Sequence, residues 1–282
     1  MTKHLIILLA LLAAGCKSLP TKEAASDPDS HRIMNTIPAE YQMDIVKAEM
    51  FGAEIYSQDI AAWVVTDFLA SKGVIDNDKR LRGWVTEHVE DESDFDRMRV
   101  SFIGEVSGEH KILYQVEAKS TVVLNETYKE FPSGIALSKT QLGMFNARQT
   151  ALSSQFMRCS NSYNTAVVRF EDEVNSYNIV YVLAASSKVG EVVFGGNHRV
   201  TLNSDGDKIV ENFPLSKSCL TMQKRDDVEA LTISHIVEPT PNAVHVFLSM
   251  LHRTPIYVLT TENKIIWKVD GNKISLLDIK KT

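Results

Sequence analysis

Three histidines stand in apolar company in the C-terminal half of this chain. His198 alternates with Val200 and Leu202, His235 with Ile233 and Val237, and His245 with Phe247. On β-strands the two-residue period would aim each imidazole at an apolar face. Three imidazoles meeting at one point hold Zn²⁺ and leave its fourth position open. That geometry needs three adjacent strands in register. Lone histidines among apolar neighbours are more often hydrogen-bonded structural groups, so no metal or cofactor is assigned. Asp59 and Asp67, two helical turns apart, offer a carboxylate pair for acid–base work, with capping or solvation as the ordinary role. Arg199 and Lys217 offer an anion site, with solvation or pairing to acids as the alternative. Six of the ten residues from Glu87 to Asp96 are acidic. The oxygen spacing and turn glycine of a calcium loop are missing there, which leaves a solvated loop. There is no H-E-x-x-H, G-x-S-x-G, S-x-x-K or phosphate-binding loop. Each absence removes a family, not enzymes in general.

Cysteine is the remaining reactive residue, at Cys16, Cys159 and Cys219. Cys16 closes an apolar run that begins at Leu5, just after Lys3. About 11 residues at 1.5 Å each cover roughly half of a ~30 Å hydrocarbon core, too little to span it. A positive start, a short apolar stretch and small residues at a cut site describe a secretory signal. The stretch Leu11 to Cys16, LLAAGC, resembles a bacterial lipoprotein signal. In that family the Cys after a small residue is lipidated and becomes the new N-terminus. Ala13-Ala14-Gly15-Cys16 fits, although the position three before the Cys is more often Leu. The resemblance implies a signal peptide over 1–15 and a lipid on Cys16. Lys17, rather than Asp, follows it, which by the same resemblance implies the outer membrane, facing the periplasm.

With Cys16 lipidated, Cys159 and Cys219 remain in an oxidising compartment, where leftover cysteines usually pair. The alternatives are two buried thiols or a reactive thiol, and the chain has no C-x-x-C. Residues 17–36 are polar and hold two prolines without apolar periodicity, so 16–37 reads as a flexible tether. The C-terminal half resembles proteobacterial envelope proteins, and that likeness carries over no activity.

The body must position whatever chemistry exists. The chain has 282 residues, 44% hydrophobic and 23% charged, with 30 basic against 36 acidic side chains and a net charge of −6. That balance suits a globular body with a sizeable core and disfavours nucleic acid as a partner. Pro38 opens a helical stretch reaching about Lys72, with Gly73 as the stop. Met43, Val46, Met50 and Ala53, then Tyr56, Ile60, Trp63, Val64 and Phe68, are its expected apolar face, with a bend expected at Gly52. Met98, Val100 and Phe102 alternate with polar residues, as do Ile112, Tyr114 and Val116, which predicts a hairpin. Ser138 and Gln141 form a capping box for a second helix to about 157, with Leu142, Phe145, Leu152 and Phe156 facing inward. From Thr165 onward strands are expected throughout, Val244 to Leu251 included, paired antiparallel. Asp205-Gly206 suits a type I′ turn, and Gly195-Gly196 a bulge or a close backbone approach.

The expected class is therefore α+β: a long N-terminal helix and a mainly antiparallel sheet with a second helix packed on it. A helix-plus-hairpin lobe over 38–131 and an antiparallel-sheet lobe over 132–282 meet near Phe131-Pro132. The expected function is a non-enzymatic binding or assembly role at the envelope. Its partners are the membrane, through the anchor, and an envelope protein. The alternative is an envelope hydrolase whose site is built from dispersed His and Asp residues.

Overall fold

The computed structural model describes residues 37–90, 96–171, 175–186, 188–225 and 227–277. Cys16, the signal and nearly all of the tether lie outside them, as does the centre of the acidic run.

Helix α1, Ala39–Ser71, starts directly after Pro38, and Gly73 follows it with φ of +74°. It is continuous through Gly52, so the expected bend is not the role of that residue. Gly52 is instead where another helix crosses: a Cβ there would lie 2.6 Å from Val246 Cγ1 and 2.8 Å from the Ala243 carbonyl. The buried stripe in the first half is Ile45, Ala48, Gly52 and Ile55. The expected stripe is the opposite one. Met43, Val46 and Met50 are exposed, and so is Trp63 in the second half. Small residues face inward because the neighbouring helix approaches closely.

The one-turn helix α2, Val74–Asn77, leads into a four-stranded antiparallel sheet. Its strands are β1, Leu81–His88; β2, Arg97–Val106; β3, Glu109–Lys119; and β4, Val122–Ala136, in that order. The hairpin between β2 and β3 is present, turning at Ser107 and Gly108, both with positive φ. Met98, Val100, Phe102, Tyr114 and Val116 pack on Ala61, Val65 and Leu69 of α1. Ile103 follows Phe102 on the opposite face, and the bulge at Leu113 turns Ile112 to join it in a different apolar cluster. β4 runs unbroken across Phe131 and Pro132.

Helix α3, Lys139–Ser153, carries the expected capping box between Ser138 and Gln141. It ends four residues before the expected 157, and Leu142 is exposed rather than inward. Phe145, Ala147 and Ala151 cover the second sheet. That sheet has the order β5-β6-β8-β9: β5, Ser162–Glu171; β6, Ser176–Ala185; β8, His198–Asn203; and β9, Ile209–Pro214. The short strands β7, Glu191–Val193, and β10, Thr221–Gln223, pair beside it. Between β8 and β9 the loop is five residues long, and of Asp205 and Gly206 only Gly206 has a positive φ. It is therefore not the expected two-residue turn. Asn203 Oδ1 organises it by accepting the backbone N–H groups of Asp207 and Lys208.

The last unit holds β11, Leu231–His235; α4, Ala243–His252; β12, Ile256–Thr260; β13, Ile265–Asp270; and β14, Lys273–Leu276. β11 and β12 are parallel, joined across α4, while the remaining pairs are antiparallel. The expected strand over Val244 to Leu251 is thus a helix. All residues from Ala243 to Ser249 are buried, and a segment apolar on every side carries no period to tell strand from helix. Asn242 decides it: its side chain accepts the Val244 N–H, and its own N–H donates to His245 Nδ1. One apolar cluster joins α4, the first half of α1, the last sheet and one face of β5 and β6. The class is α+β.

Candidate functional site

β1 and β5 are edge strands of two different sheets, and they border one cleft. α3 closes one end of it. The Arg148 side chain is buried between the strands; its Nε donates to Thr165 Oγ1 at 2.9 Å and its guanidinium lies 4.4 Å from the Trp84 ring centre. Burial pushes this guanidinium down to about 10, so it stays charged at neutral pH. Gly83 is required here, because a Cβ at its φ of +156° would lie 2.6 Å from Arg148 Nη1.

Further along, Gln58 of α1 reaches the edge of β5. Its Nε2 donates to the Val167 carbonyl and its Oε1 accepts the Val167 N–H, both at 2.9 Å. The carboxamide thereby occupies the place of a neighbouring strand's peptide group. It is nearly fully buried, and the same Nε2 also donates to Glu54 Oε1 at 2.8 Å.

Beyond Gln58 the cleft opens into a groove of about 550 Å³. Met50, Phe51, Met144, Val167, Val168 and Phe170 supply its apolar lining. Met50 is 53% exposed and Phe170 43%. Glu54, Glu87, His88, Arg169 and Glu171 line its polar parts. His88 Nε2 lies 2.8 Å from Glu54 Oε2. Burial raises the Glu54 pKa, and the hydrogen bonds from His88 and Gln58 outweigh that, so the carboxyl sits below its ordinary value. Arg169 Nε donates to Glu171 Oε1 at 2.6 Å, and Gln141 Nε2 donates to Glu87 Oε2 at 2.7 Å.

The two edges also present main chain. Val89 N–H donates to the Arg97 carbonyl, and His88 stands opposite Met98. By antiparallel alternation the N–H and C=O groups of Thr86 and His88 then point away from β2, toward the cleft. On β5 the Val167 groups point out to Gln58, so by the same alternation those of Arg169 and Glu171 point out as well.

The histidine triad does not assemble. His235 and His245 meet edge to face with ring centres 4.8 Å apart. His245 comes from α4, not a strand, and its Nδ1 accepts the Asn242 N–H at 3.0 Å. His198, on β8, packs instead on Phe156 at 5.1 Å. Among the described residues no group of three or more His, Cys, Asp or Glu side chains is placed to hold a metal. Burial, with the neighbouring His235, holds His245 well below the usual imidazole range. His235 Nε2 lies 3.7 Å from Glu238 Oε2.

Asp59 and Asp67 do not act together. Eight residues of helix separate them by about 12 Å. Asp59 accepts from Asn164 Nδ2, and burial raises its pKa, while Asp67 is exposed. Arg199 lies 3.5 Å from Glu211 and 4.0 Å from Glu238, and Lys217 is exposed. Cys159 and Cys219 are disulfide-bonded, with Cα atoms 5.2 Å apart. The expected close approach at Gly195-Gly196 is real: a Cβ at Gly196 would lie 2.6 Å from Cys159 Cβ, and one at Gly195 2.7 Å from Cys219 Cα. Of the cleft residues, Met50 stood on the expected inward face of the first helix and Glu87 at the start of the acidic run; the pattern of the chain marks neither as part of a site. Gln58, three positions after Ile55 on the buried stripe, was the available signal.

Comparison of the chain with protein-family models, with curated proteins and with solved structures finds no match.

Proposed function

We propose that this chain is a lipid-anchored envelope protein, facing the periplasm from the outer membrane, whose body binds a protein partner without chemistry of its own. The observation that carries the binding role is the groove between β1 and β5. Its apolar lining is partly exposed and ringed by charged side chains, the arrangement of interaction sites rather than of a closed active site. Met43, Val46 and Met50 extend the apolar surface along one face of α1. The anchor rests on the resemblance of residues 11–16 to a lipoprotein signal.

A photo-reactive residue placed at Phe170 in intact cells tests the binding role. The expected result is one discrete adduct, missing when the same residue stands at the fully exposed Val189. Equal labelling from both positions, or none from Phe170, overturns it.

A further inference from the structure

We infer that a second cavity, between α1, one face of β6 and β8, and the loop leading into α4, binds a small free α-amino acid of glycine or alanine size. This goes beyond the groove and does not depend on it.

The cavity encloses about 150 Å³. Liquid water takes ~30 Å³ per molecule, so the space suits a ligand of roughly five or six non-hydrogen atoms. Tyr181 lines it, only 2% exposed, with its ring 6.4 Å from that of Phe51. Among the described residues none hydrogen-bonds the Tyr181 hydroxyl. A buried tyrosine hydroxyl ordinarily has a partner, and the cavity is where one can stand. Burial raises this hydroxyl above its ordinary pKa, so at neutral pH it is a protonated donor.

Arg199 stands opposite Tyr181 in the register of β6 and β8, so both side chains leave the sheet on one face. Its Nη1 lies 4.0 Å from Glu238 Oε1 and its Nη2 3.5 Å from Glu211 Oε2. Both distances exceed the usual hydrogen-bond length, so the guanidinium keeps donors for a ligand. Glu238 Oε2 accepts from Asn242 Nδ2 at 3.0 Å, which leaves Oε1 beside Arg199. Burial raises the Glu238 carboxyl, and His235, Asn242 and Arg199 together outweigh that, so it is ionised at neutral pH. Asp44 and Lys47, exposed and one turn apart on α1, repeat the two signs of charge at the mouth.

An α-amino acid carries its ammonium and carboxylate on one carbon, so it needs an anion and a cation side by side. Arg199 and the Tyr181 hydroxyl would take the carboxylate, and Glu238 Oε1 the ammonium. Phe51, Leu215 and Pro241 supply apolar wall, and the volume admits little more than a methyl side chain. A simple carboxylate would meet Glu238, and a simple amine Arg199, with nothing to offset the like charge.

Isothermal titration calorimetry on the purified full chain tests this, with glycine, L-alanine and D-alanine as probes. At least one is expected to bind saturably at one site. Propionate, ethylamine and L-phenylalanine lack one charge or exceed the space, and each is expected to bind at least tenfold more weakly than that amino acid. Tyr181→Phe is expected to weaken its binding at least fivefold without lowering the melting temperature, and Glu238→Gln at least tenfold. Phe170→Lys, in the groove, is expected to leave it within twofold. No saturable binding of any of the three probes at millimolar concentration overturns the proposal. Equal binding of propionate makes the cavity an anion site, and equal binding of ethylamine a cation site; either overturns it. Equal binding of L-phenylalanine overturns the size limit. Unchanged affinity in Tyr181→Phe, or lost affinity in Phe170→Lys, places the binding elsewhere and overturns the site. Cross-linking from Phe170 in cells reports on the groove alone, so either reading can fail while the other stands.

Discussion

Gln58 shows how one side chain can do the work of a strand. Its carboxamide is buried, and both of its polar ends are satisfied by Val167. Gln58→Leu is expected to cost about 1–3 kcal/mol, since the Val167 N–H and C=O lose their partner in a buried place. Urea denaturation of the two proteins measures this. His245 makes the opposite case for acid. Its imidazole is neutral and fully enclosed, while an unfolded histidine protonates near pH 6.5. The unfolded chain therefore binds the extra proton, so stability is full above about pH 6.5 and falls as pH drops below it. His198 and His252, also lowered mainly by burial, act in the same direction. His245→Gln keeps an acceptor for the Asn242 N–H but does not titrate. The slope of melting temperature between pH 6.5 and 5.5 is expected to flatten in that variant; an unchanged slope would assign the acid loss elsewhere. The place of His245 was not legible beforehand, because the run around it is buried on every side and carries no period to tell strand from helix.

At the scale of elements, what was readable was whatever carried its own local signal. The capping box at Ser138, the stop at Gly73 and the alternation over Met98 to Phe102 each specify an element with no help from elsewhere. The inward face of α1 did not, because its neighbour sets it. Large residues at Met43, Val46 and Met50 give a helical stripe as good as Ile45, Ala48, Gly52 and Ile55. Only the approach of α4 favours the smaller set. Gly52→Ala should therefore destabilise by about 1–3 kcal/mol although alanine is the better helix former, because the methyl would collide with Val246 and the Ala243 carbonyl. A more stable Gly52→Ala protein in thermal unfolding would contradict this packing. The cleft was illegible for a related reason. It is formed by two strand edges far apart in sequence, and edges belong to sheet order, which no local pattern encodes.

For the whole molecule, two predictions concern covalent chemistry. The Cys159–Cys219 bond closes a 60-residue separation. Chain entropy assigns it about 4 kcal/mol, so reduction should lower the unfolding free energy by that order, measurable by denaturation with and without a thiol. A Cys16→Ser chain is expected to lose palmitate labelling and leave the membrane fraction; retention of label would refute the anchor. The architecture also bears on mechanics. α1 touches all the main sheets, through its packing on β2 and β3, on α4, and on β5 by way of Gln58. Glu49 adds a clamp, accepting the Ile274 N–H at 2.8 Å and pairing with Lys273 at 2.9 Å. A pull applied at its first turn and directed along its axis would load this 33-residue rod end-on. Under such a pull the contacts flanking it would be loaded in shear, many at once, rather than peeled one after another. A body built around such a rod would share an axial load between the two apolar clusters that the rod joins.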